Sequence, residues 1–483
     1  MRIIIQMKFR KHLFLLSSLL TTIIFGGLSQ VRLPPIFTGN MVLQQKSVVP
    51  IWGWSKPGAT VTCTASWNNK KIAVKANAAG KWKLMIETPV AGGPYEITIS
   101  DPLPVKLSNV LLGEVWLCSG QSNMEMPMMG FKGQPIEGSN DAILRSANNQ
   151  IRLYTVPRAP TTTPQENSKP SEWKLAAPET VSSFSATAYY FAKVLQELLQ
   201  VPIGVINTSY GGSQVESWMS SASLHGYEGI SIPAATDSIK SPNRTPTALF
   251  NGMVYPLIGY GIKGVTWYQG ESNYDRPQQY ASLLASMVTD WRRLWNQGGF
   301  PFYYAQIAPF NYAQYPVKDA SPLLNSAYLR EAQSKLPAMV ANTAMAVLLD
   351  AGDEKNIHPS NKKIVGERLA YLALAKTYGI KGFGAESPRY DSLVIKDTVA
   401  IVQFKNATNW LTSFGKELTL FEVAGKDKIF HPARAMIYRS TVQVSSPKVR
   451  VPVAVRYAFK DFVKGELFGT DGLPVSSFRT DDW

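Results

Sequence analysis

Ser122 and His358 are the two residues whose types best suit nucleophilic catalysis in this chain of 483 residues. A serine hydroxyl attacks poorly until a base within hydrogen-bond reach takes its proton, and near neutral pH that base is most often histidine. Histidine is scarce: His12, His225, His358 and His431 complete the set. His225 falls in a polar loop and His431 in a β-rich tail, whereas His358 closes a segment that follows an apolar strand. Asp353 is a candidate to orient its imidazole, with Asp350, Glu354 and Asn356 competing for the role. A tetrahedral oxyanion needs preorganised donors, and the supply is the Ser122 N–H, the Gly211-Gly212 backbone and an amide such as Gln269 or Asn273. Cys118, a rival nucleophile, ends an apolar run and reads as core.

These residues share one kind of place in the chain. Apolar strands at Glu114–Cys118, Ile203–Asn207, Lys263–Tyr268, Phe302–Ile307 and Ala344–Leu349 alternate with helices at Ala186–Gln200, Gln278–Trp295, Leu323–Lys335 and Ser360–Thr377. That alternation predicts an α/β domain with a doubly wound parallel sheet. Ligands bind beyond the carboxyl ends of such strands, where the segments Ser119–Met124, Thr208–Ser213, Gln269–Asn273 and Asp350–Pro359 fall. The stretch 138–183, rich in Asn, Pro, Thr and Ser, reads as a long loop around the domain.

On either side the grain is antiparallel β. Residues 30–109 carry short β-rich runs about every ten residues, the spacing of a small sandwich, and the β grain returns over 379–483. The catalytic domain is therefore expected over 110–378. Residues 1–29 read as a cleaved signal peptide: four basic residues and no acid, then an apolar run over 13–28 and small residues near its end. The mature protein is expected to be secreted or periplasmic, with no later stretch reaching the ~20 apolar residues of a membrane span. A disulfide between Cys63 and Cys118 is permitted there, and the sequence leaves it open.

Composition removes several alternatives. With 45% hydrophobic and 17% charged residues the chain is a folded one, not a disordered one. Its net charge is +15, of which Arg2, Lys8, Arg10 and Lys11 leave with the signal peptide; the remaining basic residues are scattered, which disfavours nucleic acid as a partner. No closely spaced Cys or His pair suits zinc, and no glycine-rich phosphate cradle occurs, so the chemistry is expected to need neither metal nor cofactor.

Three blocks in this order, Gly120-Gln121-Ser122-Asn123-Met124, Trp267-Tyr268-Gln269-Gly270-Glu271-Ser272-Asn273 and Ile357-His358-Pro359-Ser360-Asn361-Lys362, resemble the sialate O-acetylesterase family of SGNH-type serine esterases. Leu33–Phe37, Asn40–Gln44, Val49–Gly53, Ala454–Tyr457 and Gly472–Pro474 extend the resemblance over nearly the whole mature chain. It implies an SGNH-hydrolase-like, flavodoxin-like parallel sheet flanked by helices. It also implies a serine esterase that removes O-acetyl groups from sialic acids through an acetyl-enzyme, with acetylated xylan or another glycan as the alternative substrate.

The resemblance assigns Ser122 as nucleophile, His358 as acid/base, and Ser122, Gly212 and Gln269 to the oxyanion site. Gln121, Asn123, Glu271 and Asn273 become site-supporting or substrate contacts, Trp267, Tyr268 and Tyr210 possible sugar platforms, and Arg276 a fork for a sugar carboxylate. One departure stands out: the family often reads Asp-Ile-His-Pro where this chain has Asn356-Ile357-His358-Pro359. Asp353 then becomes the candidate third member, beside a Ser–His dyad held by a carbonyl or Asn356. A non-catalytic glycan-binding protein is the rival class, disfavoured because both Ser122 and His358 are present; a lipase or protease lacks its G-x-S-x-G elbow here.

Overall fold

The computed structural model describes residues 31–314 and 325–483. The signal peptide expected over 1–29 and the predicted helix start at Leu323 lie outside the described residues.

Strand β1 (Pro104–Gly120) organises the molecule. Its first residues alternate between exposed and buried, as suits a strand with one wet face, and from Val110 onward every residue is buried. The alternating half pairs antiparallel with Gly92–Ser100 of the N-terminal unit, and the buried half pairs parallel with its neighbours on both sides. The boundary expected between residues 109 and 110 therefore falls inside a continuous strand: the change in grain marks the change of partners, not a break in the chain.

Around β1 lie β2 (Asn148–Thr155), β3 (Lys174–Ala176), β4 (Ile203–Ser209), β5 (Gly264–Tyr268), β6 (Phe302–Ala305) and β7 (Thr343–Ala346), in the order β7-β6-β5-β1-β4-β2-β3. All pairings are parallel except β2 with β3. The long loop expected over 138–183 thus contains two strands. Ile151-Arg152-Leu153-Tyr154 is buried throughout, but this short apolar run is hidden among turn-forming residues.

After α1 (Ser122–Glu125), helices α2 (Ala186–Leu199), α3 (Pro277–Trp295), α4 (Ala327–Met339) and α5 (Lys362–Lys376) cover the sheet. Residues of α2 and α5 share one core with Trp116 and Tyr303, while α3 and α4 join Trp267, Phe302 and the N-terminal unit in the other. Gly366 lets α5 press onto α2: a Cβ there would stand 2.8 Å from the Phe191 nitrogen and the Thr187 carbonyl oxygen. Leu369 and Leu372 of α5 are fully buried, so truncating either to alanine costs about 2–5 kcal/mol.

The C-terminal unit has two four-stranded antiparallel sheets over a core that takes in Val347 and Leu349 of the α/β unit. Buried Arg330 on α4 donates to the carbonyls of Lys460 and Asp461 and to Ser477, fastening the two units together. Cys63 and Cys118 are both free thiols, and burial pushes each up to about 12, so neither is an activated nucleophile. Among the described residues, no helix is long and apolar enough to cross a membrane.

Candidate active site

At the carboxyl end of β1 the chain turns through Gly120, whose φ is +142°. A Cβ there would stand 2.1 Å from the Tyr268 carbonyl oxygen, so the close approach of β5 requires glycine. The turn delivers Ser122 to the first position of α1, only 8% exposed. His358 arrives from the loop between β7 and α5, and its Nε2 lies 2.7 Å from Ser122 Oγ.

The other ring nitrogen decides the tautomer. His358 Nδ1 is 2.7 Å from Gln134 Oε1, an acceptor only, so Nδ1 carries the proton and donates it. Nε2 is then left with its lone pair toward the Ser122 hydroxyl, the arrangement a general base needs. Gln134 closes a tight turn from Phe131 (Gln134 N–H to Phe131 carbonyl, 2.9 Å), and Phe131 packs edge-on against the imidazole with centroids 5.4 Å apart. One turn therefore holds the ring by its edge and by its Nδ1–H.

Gln134 replaces Asp353 as the orienting group. Asp353 is exposed, and its Oδ1 accepts the backbone N–H groups of Lys355 and Asn356, capping its own turn. Asp350 forms a two-pronged ion pair with Arg368, and Asn356 Oδ1 accepts the His358 backbone N–H. An uncharged amide orients the imidazole without favouring its protonated form. Burial first, and the charge of Lys362 second, hold His358 down at about 4, so the ring is a free base at neutral pH.

Two backbone donors stand open at the serine. Among the described residues the N–H groups of Ser122 and Gly212 have no acceptor. Gly211 N–H is taken by Glu125 Oε2 at 2.8 Å, while Asn243 Nδ2 donates to the Gly211 carbonyl and braces the turn. Gln269 does not join them. It is fully buried, and its Nε2 donates to the Ser213 carbonyl at 3.0 Å and to Asn273 Oδ1 at 2.7 Å, leaving it no proton for an oxyanion.

The expected substrate contacts also turn inward. Gln121 Oε1 accepts from the N–H groups of Gly270 and Ser272, pinning two strand-end loops together. Asn273 joins Gln269 to buried Glu216, and Asn123 joins Glu271 to Lys362. Trp267 is fully buried between Trp218 and Trp291, so it forms core instead of a sugar platform, and Tyr268 is buried too. Arg276 lies 2.7 Å from Glu216, which already supplies its carboxylate. Gln121, Asn123, Gln269 and Asn273 sit at strand ends, Trp267 and Tyr268 within β5 and Arg276 at the start of α3, and each side chain is engaged by the protein.

Gln134, Phe131 and Arg158 are site residues that sequence reasoning missed. Arg158, just beyond β2, pairs with Glu125 at 2.6 Å and lies 4.3 Å over the ring of half-buried Tyr210. Recognising β2 would have placed Arg158 at a strand end. For Gln134 the one local signal was the Phe131-Lys132-Gly133-Gln134 turn.

Residues 112–375 match the family model described as a carbohydrate esterase, sialic acid-specific acetylesterase. The chain belongs to that family. The sialate O-acetylesterases of Homo sapiens and Pongo abelii are each 31% identical over 74% of this chain and 73% of theirs. The crystal structure of a carbohydrate acetylesterase from Xanthomonas citri superposes with a TM-score of 0.85 at 36% identity, covering 94% of this chain and all of that one. The protein is thus a carbohydrate esterase, a hydrolase of carboxylic esters, on an α/β fold with a mainly parallel central sheet and flanking β units.

Proposed function

We propose that the protein is an exported O-acetylesterase that removes acetyl groups from sialic acids by acyl transfer through Ser122. The observation that carries this reading is the hydrogen-bonded chain from Ser122 Oγ through His358 to Gln134 Oε1. His358 Nε2 takes the hydroxyl proton as Ser122 Oγ attacks the acetyl carbon, and the carbonyl oxygen gathers negative charge against the N–H groups of Ser122 and Gly212. The imidazolium returns that proton to the sugar oxygen as the ester C–O bond breaks, leaving the acetyl group on Oγ. Water, activated by the same nitrogen, attacks the acetyl-enzyme; acetate departs and Ser122 recovers its proton. Export rests on the basic and then apolar run over residues 1–28.

Sialic acid as substrate is supported by the named activity of the mammalian relatives. An acetylated neutral glycan is the second reading, favoured by the ion pair that Arg276 makes with Glu216. Acetate release from O-acetylated sialic acid and from acetylated xylo-oligosaccharides, run in parallel with Ser122→Ala, separates the two. Sialate turnover lost in the variant supports the first reading. Turnover of xylo-oligosaccharide alone replaces it with the second, and release from neither overturns both.

A further inference from the structure

Beneath the Ser122 turn lies a charged group that acyl transfer leaves unused. Lys362, the first residue of α5, is 1% exposed, as is Asn123, and Glu271 is 4% exposed. Lys362 Nζ donates to Asn123 Oδ1 and, at 2.8 Å, to the Pro359 carbonyl. Asn123 Nδ2 donates to Glu271 Oε1 and, at 3.1 Å, to the Ile357 carbonyl. The two gripped carbonyls belong to the residues on either side of His358, and Asn123 is the residue that follows Ser122. One buried amide and one buried ammonium thus fasten the histidine loop to the serine turn.

Nothing about fold stability recommends this arrangement. Burying an ammonium group is costly even when it is paired, and well-packed apolar side chains of similar volume commonly do as well. The position is also electrostatically wrong for a cation, because a helix presents the positive end of its dipole at its first residues. Asn361 already caps α5 by accepting from the Ile364 N–H, so Lys362 is not needed there. Glu271 keeps Oε2 without a partner among the described residues, which adds to the cost.

We propose that Lys362 and Asn123 are positioning residues, a buried clasp anchored on Glu271 that sets the 2.7 Å approach of His358 Nε2 to Ser122 Oγ. The proposal rests on the roles given above to Ser122 and His358. The titratable groups facing the clasp are Glu271 and His358, with Tyr268, Tyr280 and Tyr312 near Glu271. Burial lowers Lys362 to about 7 against the opposing pull of Glu271, and its charge helps to hold His358 down. The clasp therefore has a mechanical effect, through Asn123, and an electrical one that belongs to Lys362 alone.

Kinetics of acetate release across pH separates the two effects, with folding followed by circular dichroism. Lys362→Met should lower kcat by about ten- to a hundredfold, the scale of a misplaced reacting group. It should also move the acid limb of kcat/KM upward by about one pH unit, because removing a neighbouring positive charge makes the imidazole more basic. Asn123→Ala should lower kcat similarly while leaving the limb in place, and Lys362→Arg should bring the limb back. The double variant Asn123→Ala/Lys362→Met should lose less than the product of the single losses, as for two parts of one device. Wild-type kcat and limb in Lys362→Met overturn the proposal. If that variant does not fold, Asn123→Ala decides: reduced kcat at unchanged KM supports the clasp, and wild-type kcat overturns it. Ser122→Ala runs alongside. Activity surviving there overturns the underlying reading and the clasp with it, whereas a dead Ser122→Ala beside indifferent clasp variants overturns the clasp alone.

Discussion

The two walls of the site are built on opposite plans. The wall formed by the 131–134 turn and Gly211-Gly212 is partly exposed and holds only the groups that reach His358 and Ser122, with two backbone N–H groups left open. The wall behind Ser122 is packed with Gln121, Asn123, Gln269, Asn273 and Glu216, every one buried and bonded to the protein. A group that must meet a passing substrate has to keep a donor or acceptor free. A group that must hold a neighbour in place has to use all of its own. The residues that look most chemical in the sequence belong mainly to the second kind.

Substitutions on the two walls should therefore fail in different ways. The largest effect is expected at Ser122: alanine there should cut acetate release by about 10⁴- to 10⁶-fold while thermal unfolding stays near wild type. Gln134→Ala removes one orienting hydrogen bond of about 1 kcal/mol, so kcat should fall roughly fivefold. Gln134→Glu sharpens that test. A carboxylate favours the imidazolium, so the acid limb of kcat/KM, expected at about pH 4 in the wild type, should move to higher pH; a limb that stays put removes Gln134 from its role. On the rear wall, Gln269→Ala should appear mainly as stability, about 1–3 kcal/mol in denaturant unfolding, because Tyr280 and Asn273 lose a buried partner. The smallest change is expected for Asp353→Asn, which keeps an oxygen to cap its turn; a large fall in kcat would return the orienting role to Asp353.

How much of this was legible in the sequence follows from what a sequence signals locally. The five apolar strands and the helices between them were readable because burial on both faces leaves continuous hydrophobic runs. Ser122 was readable because it follows such a run at a strand end, and His358 because it lies in the polar segment after the last apolar strand. The facing of the side chains was not. Trp267 lies one residue before the end of β5, yet it points into the core between α3 and β6, a matter of pleat and register. Gln134 escaped because the expectation was a carboxylate near His358 in the chain, whereas the partner is a neutral amide on a turn brought in from the Ser122 side. β2 was obscured because its apolar residues are few and its neighbours favour turns.

Strand β1 carries a consequence for how the molecule comes apart. The N-terminal β unit and the central sheet share this one strand, so fraying either one loosens a strand of the other. A chain begun at residue 110 would remove the part of β1 that pairs with Ile97–Ser100 and expose the end of its most central strand. The N-terminal unit thus behaves as a splint for the central strand, and the two should melt together in a single calorimetric transition and resist separation by a protease.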